Sequence, residues 1–253
     1  MPKPAGQTII VVPCYNEARR LPARAFLAYA AACRHTSFVM VDDGSRDGTR
    51  QVLESLERRC PQGFKVLCLA RNSGKAEAVR RGMLLALEYA PRLVGYWDAD
   101  LSAPLEQVDR LAAVFDSRPG VEVVLGSRVS LMGYSIRRRS SRHYLGRAAA
   151  TLISMVSGLA IYDTQCGAKL FAATPDLERA LSRPFLARWL FDVELLLRLA
   201  LQWHTQGRGP AEKLIFELPL ERWWHKEGSK VSPLDFLRAL GEIYRLHRRY
   251  PRG

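Results

Sequence analysis

This 253-residue chain has little that would cross-link it, export it or carry it through lipid. The five cysteines (Cys14, Cys33, Cys60, Cys68 and Cys166) are odd in number and widely spread, and no two form a C-x-x-C pair. That spacing speaks against a structural zinc site or a disulfide framework, and it suits a reducing compartment. The first seven residues, Met1 to Gln7, run into a strand-like segment without a signal-peptide core. The longest uncharged stretch, 148–162, is shorter than the ~20 residues that a bilayer demands. The expected location is therefore cytoplasmic, with any membrane met peripherally at its cytoplasmic face. Two phosphate loops are missing too. No G-x-G-x-x-G follows the first apolar run, and Asn72-Ser73-Gly74-Lys75 lacks the upstream glycine and terminal hydroxyl of G-x-x-x-x-G-K-[ST]. With no Pro/Ser/Gly-rich linker and no internal repeat, one compact domain over 1–231 is expected, followed by an extension over 232–253.

Apolar residues make up 48% and charged residues 25%, enough for a globular chain with a sizeable core. The formal charge is +13, unevenly spread: residues 1–125 carry 17 basic and 14 acidic groups, residues 126–253 carry 21 and 11. An anionic partner for the second half follows. Nucleic acid is not the expected one, because the basic residues are not interleaved with aromatics as on a stacking platform.

Strand and helix signals alternate through the first half. Thr8 to Val12 is a continuous apolar run, as in a strand covered on both faces. A helical pattern covers 21–33, a strand 38–41, a helix 49–59, a strand 65–69, a helix 76–88 and a strand 93–97. Pro104 lies near the next helix start, and 121–125 reads as a further strand. Such repeats predict an α/β fold, Rossmann-like, with a mostly parallel sheet between helices on both faces. Ligands of these sheets bind beyond the carboxyl ends of the strands.

Acidic groups cluster at those ends. Glu17 follows the first strand, Asp42 and Asp43 close the second, and Asp98-Ala99-Asp100 closes the fourth. An aspartate at a strand end commonly does no more than start a turn or cap a helix. An alternating pair, however, can also hold a hard divalent cation whose shell is completed by substrate phosphates. Several such clusters ending neighbouring strands favour the second reading.

These residues resemble the ordered motifs of family 2 glycosyltransferases. The resemblance runs through Val12-Pro13-Cys14-Tyr15-Asn16-Glu17, Val41-Asp42-Asp43-Gly44-Ser45, Asn72-Ser73-Gly74-Lys75 and Asp98-Ala99-Asp100. It continues through Gly126-Ser127-Arg128, Asp163 to Phe171, Arg188 to Glu194 and Trp224 to Lys230. The later motifs resemble the dolichyl-phosphate (polyprenyl-phosphate) glucosyltransferase branch more than the mannosyltransferase branch. The resemblance implies a GT-A fold, a nucleotide-sugar donor, Mg²⁺ or Mn²⁺ and inversion at the anomeric carbon. By position, Pro13, Tyr15 and Glu17 would border the nucleobase and ribose. Asp42 and Asp43 would help hold the uridine, the Gly74-Lys75 turn would meet the donor, and Asp98 and Ala99 would lie beside the sugar diphosphate. Asp98 and Asp100 would ligate the metal, with Asp100 foremost. Two departures stand out: Ala76-Glu77 follows Lys75 where the family usually has glycine, and Leu101-Ser102-Ala103-Pro104 has a spacing closer to the mannosyl branch.

The implied reaction moves a hexose, glucose from UDP-glucose being foremost, onto a polyprenyl phosphate. A phosphate acceptor is already anionic near neutral pH, with its second pKa roughly 6. It needs cations more than a base. Six arginines lie between Arg128 and Arg147 with no acidic residue among them, and their planar forks suit phosphate oxygens. Arg128 is the expected acceptor ligand, with Arg139 or Arg142 assisting and Lys230 a further candidate. The alternative is a saccharide or lipid hydroxyl as acceptor, with Asp192 as general base. Asp192 could equally pair with Arg188 at i−4. Over 232–250, Leu234, Phe236, Leu237, Leu240, Ile243 and Tyr244 alternate with arginines, so an amphipathic basic helix is expected. Such a helix either lies in an anionic membrane interface or packs on the domain.

Overall fold

The computed structural model describes residues 7–129, 131–137, 159–224 and 233–250, with the backbone alone for Arg137 and residues 233–240. Nine strands and seven α-helices occur among the described residues. The first half alternates as the sequence predicts: β1 (Thr8–Cys14), α1 (Ala23–Ala32), β2 (Thr36–Asp42), α2 (Thr49–Arg59), β3 (Phe64–Cys68), α3 (Lys75–Leu87), β4 (Leu93–Trp97), α4 (Gln107–Ser117) and β5 (Val123–Ser127). The second half adds β6 (Ser135–Arg137), β7 (Ala168–Ala172), α5 (Pro175–Leu181), α6 (Phe191–Thr205), β8 (Ile215–Pro219), β9 (Arg222–Trp224) and α7 (Pro233–Arg249).

Seven strands form one sheet in the order β3-β2-β1-β4-β7-β5-β8, and β6 pairs with β9 in a separate ribbon. Every ladder of the large sheet is parallel except those of β7, which runs antiparallel to both β4 and β5. The strands β1, β2 and β4 are buried on both faces, which is why they read as unbroken apolar runs. Alternate residues feed two core layers. Ile9, Val11, Val39 and Val41 pack towards α3, α5 and α6, while Ile10, Val12, Phe38 and Met40 pack towards α1, α2 and α4.

The chain passes from β1 outwards to β2 and β3, then returns to the other side of β1 as β4. That reversal is the topological switch point, where open α/β sheets leave a crevice at the carboxyl edge. The register shows the crevice opening: β1 follows β2 as far as Cys14↔Asp42 but leaves β4 after Val11↔Tyr96.

The helix α7 settles the alternatives for the C-terminal segment in part. Glu242 and Leu246 are buried on one of its faces, while Tyr244, Arg245, His247, Arg248 and Arg249 are exposed on the other. It packs on the rest of the protein and keeps a basic outer face. Among the described residues no helix is long and apolar enough to cross a membrane.

Candidate active site

Three loops converge on the crevice from the ends of β1, β2 and β4. The loop after β1 is tied to the loop after β2 by side chains of both. The Asn16 N–H donates to Ser45 Oγ at 3.0 Å, the Arg46 N–H to Asn16 Oδ1 at 2.9 Å, and the Glu17 N–H to Thr49 Oγ1 at 2.7 Å. Asp42, almost fully buried, accepts from the Ser45 N–H at 3.1 Å and so shapes its own turn. The Glu17 carboxylate is met by the Arg20 guanidinium at 2.5 Å. Pro13 and Tyr15 are half-buried at the same edge.

Asp43 reaches across to the next loop. Its two oxygens accept from the Ser73 N–H at 2.7 Å and the Gly74 N–H at 2.9 Å, at the start of α3. Burial pushes this carboxyl above its ordinary value, against the pull of those two N–H groups. Gly44 makes the approach of the two loops possible. Its φ is +64°, and a Cβ there would stand 2.5 Å from the Asn72 nitrogen.

Across the switch point, Lys75 Nζ donates to Asp98 Oδ1 at 2.6 Å. Burial alone would lower the Lys75 ammonium, but Asp98, Asp192 and Asp100 outweigh it and hold it above the ordinary lysine value. The Asp98 backbone N–H donates to the Gly167 carbonyl at 3.0 Å, which ties the end of β4 to the loop that enters β7. Asp100 Oδ1 accepts from the Ser102 N–H at 2.8 Å, and the Trp97 indole donates to the Ala103 carbonyl at 2.7 Å. These bonds fold residues 98–103 into a compact turn. Ala99 points into the core beneath it, while Asp98 and Asp100 stay half-exposed. Among the described residues no group of three His, Cys, Asp or Glu side chains gathers as a complete metal cage. Two carboxylates with open flanks do fit a hard cation that draws its remaining oxygens from phosphate and water.

Arg128, just past β5, is held by a chain of acceptors. Its Nε and Nη2 donate to the two oxygens of Asp163, each at 2.7 Å, and its backbone N–H joins at 3.1 Å. Glu217 on β8 in turn accepts from the N–H groups of Tyr162 and Asp163 at 2.7 and 2.9 Å. The guanidinium also lies 5.4 Å from the Trp223 ring centroid. Trp224 on β9 donates its N–H to the Ser102 carbonyl at 3.0 Å, so the β6–β9 ribbon borders the Asp98–Asp100 turn. Arg139, Arg142 and Lys230 lie outside the described residues.

Asp192 opens α6 and is 6% exposed. Its partner is Lys169 on β7, not Arg188: Lys169 Nζ lies 3.1 Å from Asp192 Oδ1. The ammonium's own hydrogen bond goes to the Cys166 carbonyl. Burial pushes the Asp192 carboxyl up to about 8 and the Lys169 ammonium down to about 8. Arg188 precedes the helix and lies elsewhere: Nη2 sits 3.7 Å from where a Cβ of Gly74 would stand, and its charge acts to lower Asp43.

The structure thus gathers Tyr15, Glu17, Asp42, Asp43, Gly74, Lys75, Asp98 and Asp100 at one edge of the sheet. Sequence reasoning missed the roles of Gly167, Asp163, Lys169 and Arg188. All four lie within motifs that were visible, but their partners are distant in the chain.

Residues 9–173 match the Glycosyl transferase family 2 signature. The chain is similar to a dolichyl-phosphate beta-glucosyltransferase of Drosophila melanogaster, 32% identical over 98% of this chain and 76% of that protein. It is also similar to the dolichyl-phosphate beta-glucosyltransferase of Mus musculus, 34% identical over 76% of this chain but only 63% of the relative's length. In fold, it resembles glucosyl-3-phosphoglycerate synthase from Mycobacterium tuberculosis, solved with Mn²⁺ and UDP-glucose. The TM-score is 0.64 at 20% identity, covering 96% of this chain and 79% of that one.

Proposed function

The chain belongs to glycosyl transferase family 2, and within that nucleotide-sugar-dependent family we propose that it moves glucose from UDP-glucose to a polyprenyl phosphate at a membrane surface. The observation that carries the reading is the ring of groups at the switch point: Asp43 on the Gly74 turn, with Lys75 on Asp98 beside Asp100. The Drosophila and mouse relatives, dolichyl-phosphate beta-glucosyltransferases, support glucose as the sugar and a polyprenyl phosphate as the acceptor.

Uridine and ribose would sit against Pro13, Tyr15, Glu17, Asp42 and Asp43, with the diphosphate between the Gly74-Lys75 turn and the Asp98-Ala99-Asp100 turn. Asp98 and Asp100 would hold Mg²⁺ or Mn²⁺, which supplies positive charge to the diphosphate. Lys75 adds a second cation on the same side and keeps Asp98 oriented. The acceptor phosphate would meet Arg128, whose fork Asp163 pins in one orientation, with Arg139, Arg142 and Lys230 assisting from their positions in the sequence. Cations on both sides let two anionic groups approach, so an acceptor oxygen can displace UDP in line with inversion.

Such an acceptor needs no proton removed, and the surroundings of Asp192 suit that. Buried at 6% exposure beside Lys169, it is poorly placed to serve as base towards an incoming hydroxyl. The basic outer face of α7, with Arg245, Arg248 and Arg249 exposed, supports contact with anionic lipid at about 1 kcal/mol per charge. On this reading 1–231 forms the catalytic domain and 232–253 its membrane-facing segment.

The test supplies radiolabelled UDP-glucose to purified protein on vesicles with and without polyprenyl phosphate. Label should enter the organic phase only when the lipid phosphate is present. Transfer to a saccharide or lipid hydroxyl instead, or faster lipid labelling from GDP-mannose, overturns the reading.

A further inference from the structure

The loop between α5 and α6 carries Arg188 to the Gly74 turn, and its backbone is held in an unusual way. Four consecutive N–H groups, from Ala187 to Leu190, all donate to side-chain carboxylates. Ala187 donates to Glu194 Oε2 at 2.8 Å. Arg188 donates to Glu242 Oε1 at 2.9 Å, and Trp189 and Leu190 to Glu242 Oε2 at 3.0 and 2.9 Å. Glu242 is 5% exposed and lies on α7, more than fifty residues further along the chain. Glu194 of α6 holds only the first of these N–H groups, and Glu242 holds the other three.

The same helix closes on the loop at a second point. The Tyr250 hydroxyl, just past the end of α7, donates to Glu194 Oε1 at 3.2 Å and accepts from Arg198 Nε at 3.1 Å. Leu246 is buried between the two contacts, so positions 242, 246 and 250 form one docked face at helical spacing. The hydrogen bonds of that face end on the segment that holds Arg188 or on Glu194 and Arg198 of α6. A carboxylate buried against three N–H groups needs all of them, since losing them would leave a desolvated charge. The backbone of 188–190 is therefore fixed only while α7 is docked.

Arg188 itself is exposed, and its guanidinium stands over Gly74, where φ is +90° and the N–H is already bound to Asp43. It adds positive charge to the turn that Lys75 begins, on the side of the crevice facing the proposed diphosphate.

We propose that Glu242 is a positioning residue of the donor site: by capturing the N–H groups of Arg188, Trp189 and Leu190 it holds the Arg188 guanidinium over the Gly74-Lys75 turn, where it meets the diphosphate of the nucleotide. The inference rests on the nucleotide-sugar reading above. It makes the C-terminal helix part of donor binding as well as the outer face of the molecule. Linkage makes the effect reciprocal: if docked α7 strengthens nucleotide binding, bound nucleotide must tighten the docking of α7 by the same factor.

The experiment measures UDP affinity by calorimetry with Mg²⁺ present, using the full chain, for wild type, R188A, E242Q and the double variant. Amide hydrogen exchange of wild type is followed with and without UDP. R188A should weaken UDP binding about tenfold with its melting temperature unchanged. E242Q should weaken it several-fold, and the double variant should be no weaker than R188A alone, because both changes remove one interaction. In wild type, UDP should slow exchange at 187–190 and along 242–250 as well as at the crevice loops. The proposal is overturned if E242Q binds UDP like wild type, if the two losses add, or if protection stays confined to the crevice loops. The exchange experiment decides alone should E242Q not fold. Failure of wild type to bind UDP at all would sink the nucleotide-sugar reading instead.

Discussion

Asp98 and Gly167 fit together only because residue 167 has no side chain. A Cβ there would stand inside the Asp98 carboxylate, the group that Lys75 holds at the switch point. Gly167→Ala therefore forces Asp98 off Lys75 while leaving every charge in place. The expected loss in kcat is about 100-fold, as for a reacting-site group displaced by an ångström. Melting temperature and transfer rate, measured together on Gly167→Ala, check it. Unchanged kcat would mean that the position of Asp98 is irrelevant to the reaction.

Removal of divalent cations probes Asp98 and Asp100 without touching the fold. Both side chains are half-exposed, and neither anchors the core. EDTA should weaken UDP binding to wild type by about tenfold or more, the loss expected when charge on a diphosphate goes unneutralised. Asp98→Ala and Asp100→Ala should start weak and show no response to EDTA. Calorimetric titrations of UDP in Mg²⁺ and in EDTA give the comparison.

The parts of this architecture that could be read from the sequence are those set by local rules. The strands β1, β2 and β4 are buried on both faces and appear as apolar runs, and α2 lies at 49–59 as expected. The strand β7 is not announced by the sequence, because five residues containing Lys169 do not look like the middle of a sheet. That lysine is accommodated there by the Cys166 carbonyl and by Asp192, 23 positions later and beside it in space. The expected Arg188–Asp192 pair fails for a related reason. Spacing of i, i+4 brings side chains together only within a helix, and α6 begins at Phe191, beyond Arg188. Strand ends announced the acidic loops, but the partners that orient them (Gly167 for Asp98, Asp163 for Arg128) became apparent only once the chain was folded.

The buried pair also predicts a pH dependence. Burial raises Asp192 in the folded protein to about 8, whereas its unfolded value is that of an ordinary carboxylate. Between those limits the native state binds more protons than the unfolded state, so the contribution of Asp192 makes stability fall as pH rises. Asparagine does not titrate. Asp192→Asn should therefore flatten or reverse the slope of melting temperature between pH 5 and pH 8. Thermal unfolding midpoints of both proteins across that range measure it. A parallel slope in the variant would place the titration on another group.

Arg128 tests which anion the second half of the site serves. Asp163 takes two N–H groups of its guanidinium in a bidentate fork, so orientation is fixed from behind by a carboxylate that Glu217 holds in turn. Arg128→Lys keeps the charge but loses the fork, and a point charge cannot satisfy both Asp163 and a phosphate in the same way. The Michaelis constant for the lipid phosphate should rise about tenfold, the cost of one charge-assisted contact, while that for UDP-glucose stays within about twofold. Initial rates with each substrate varied in turn separate the two constants. A change confined to UDP-glucose would move Arg128 to the donor side and leave the acceptor phosphate to arginines 139 and 142.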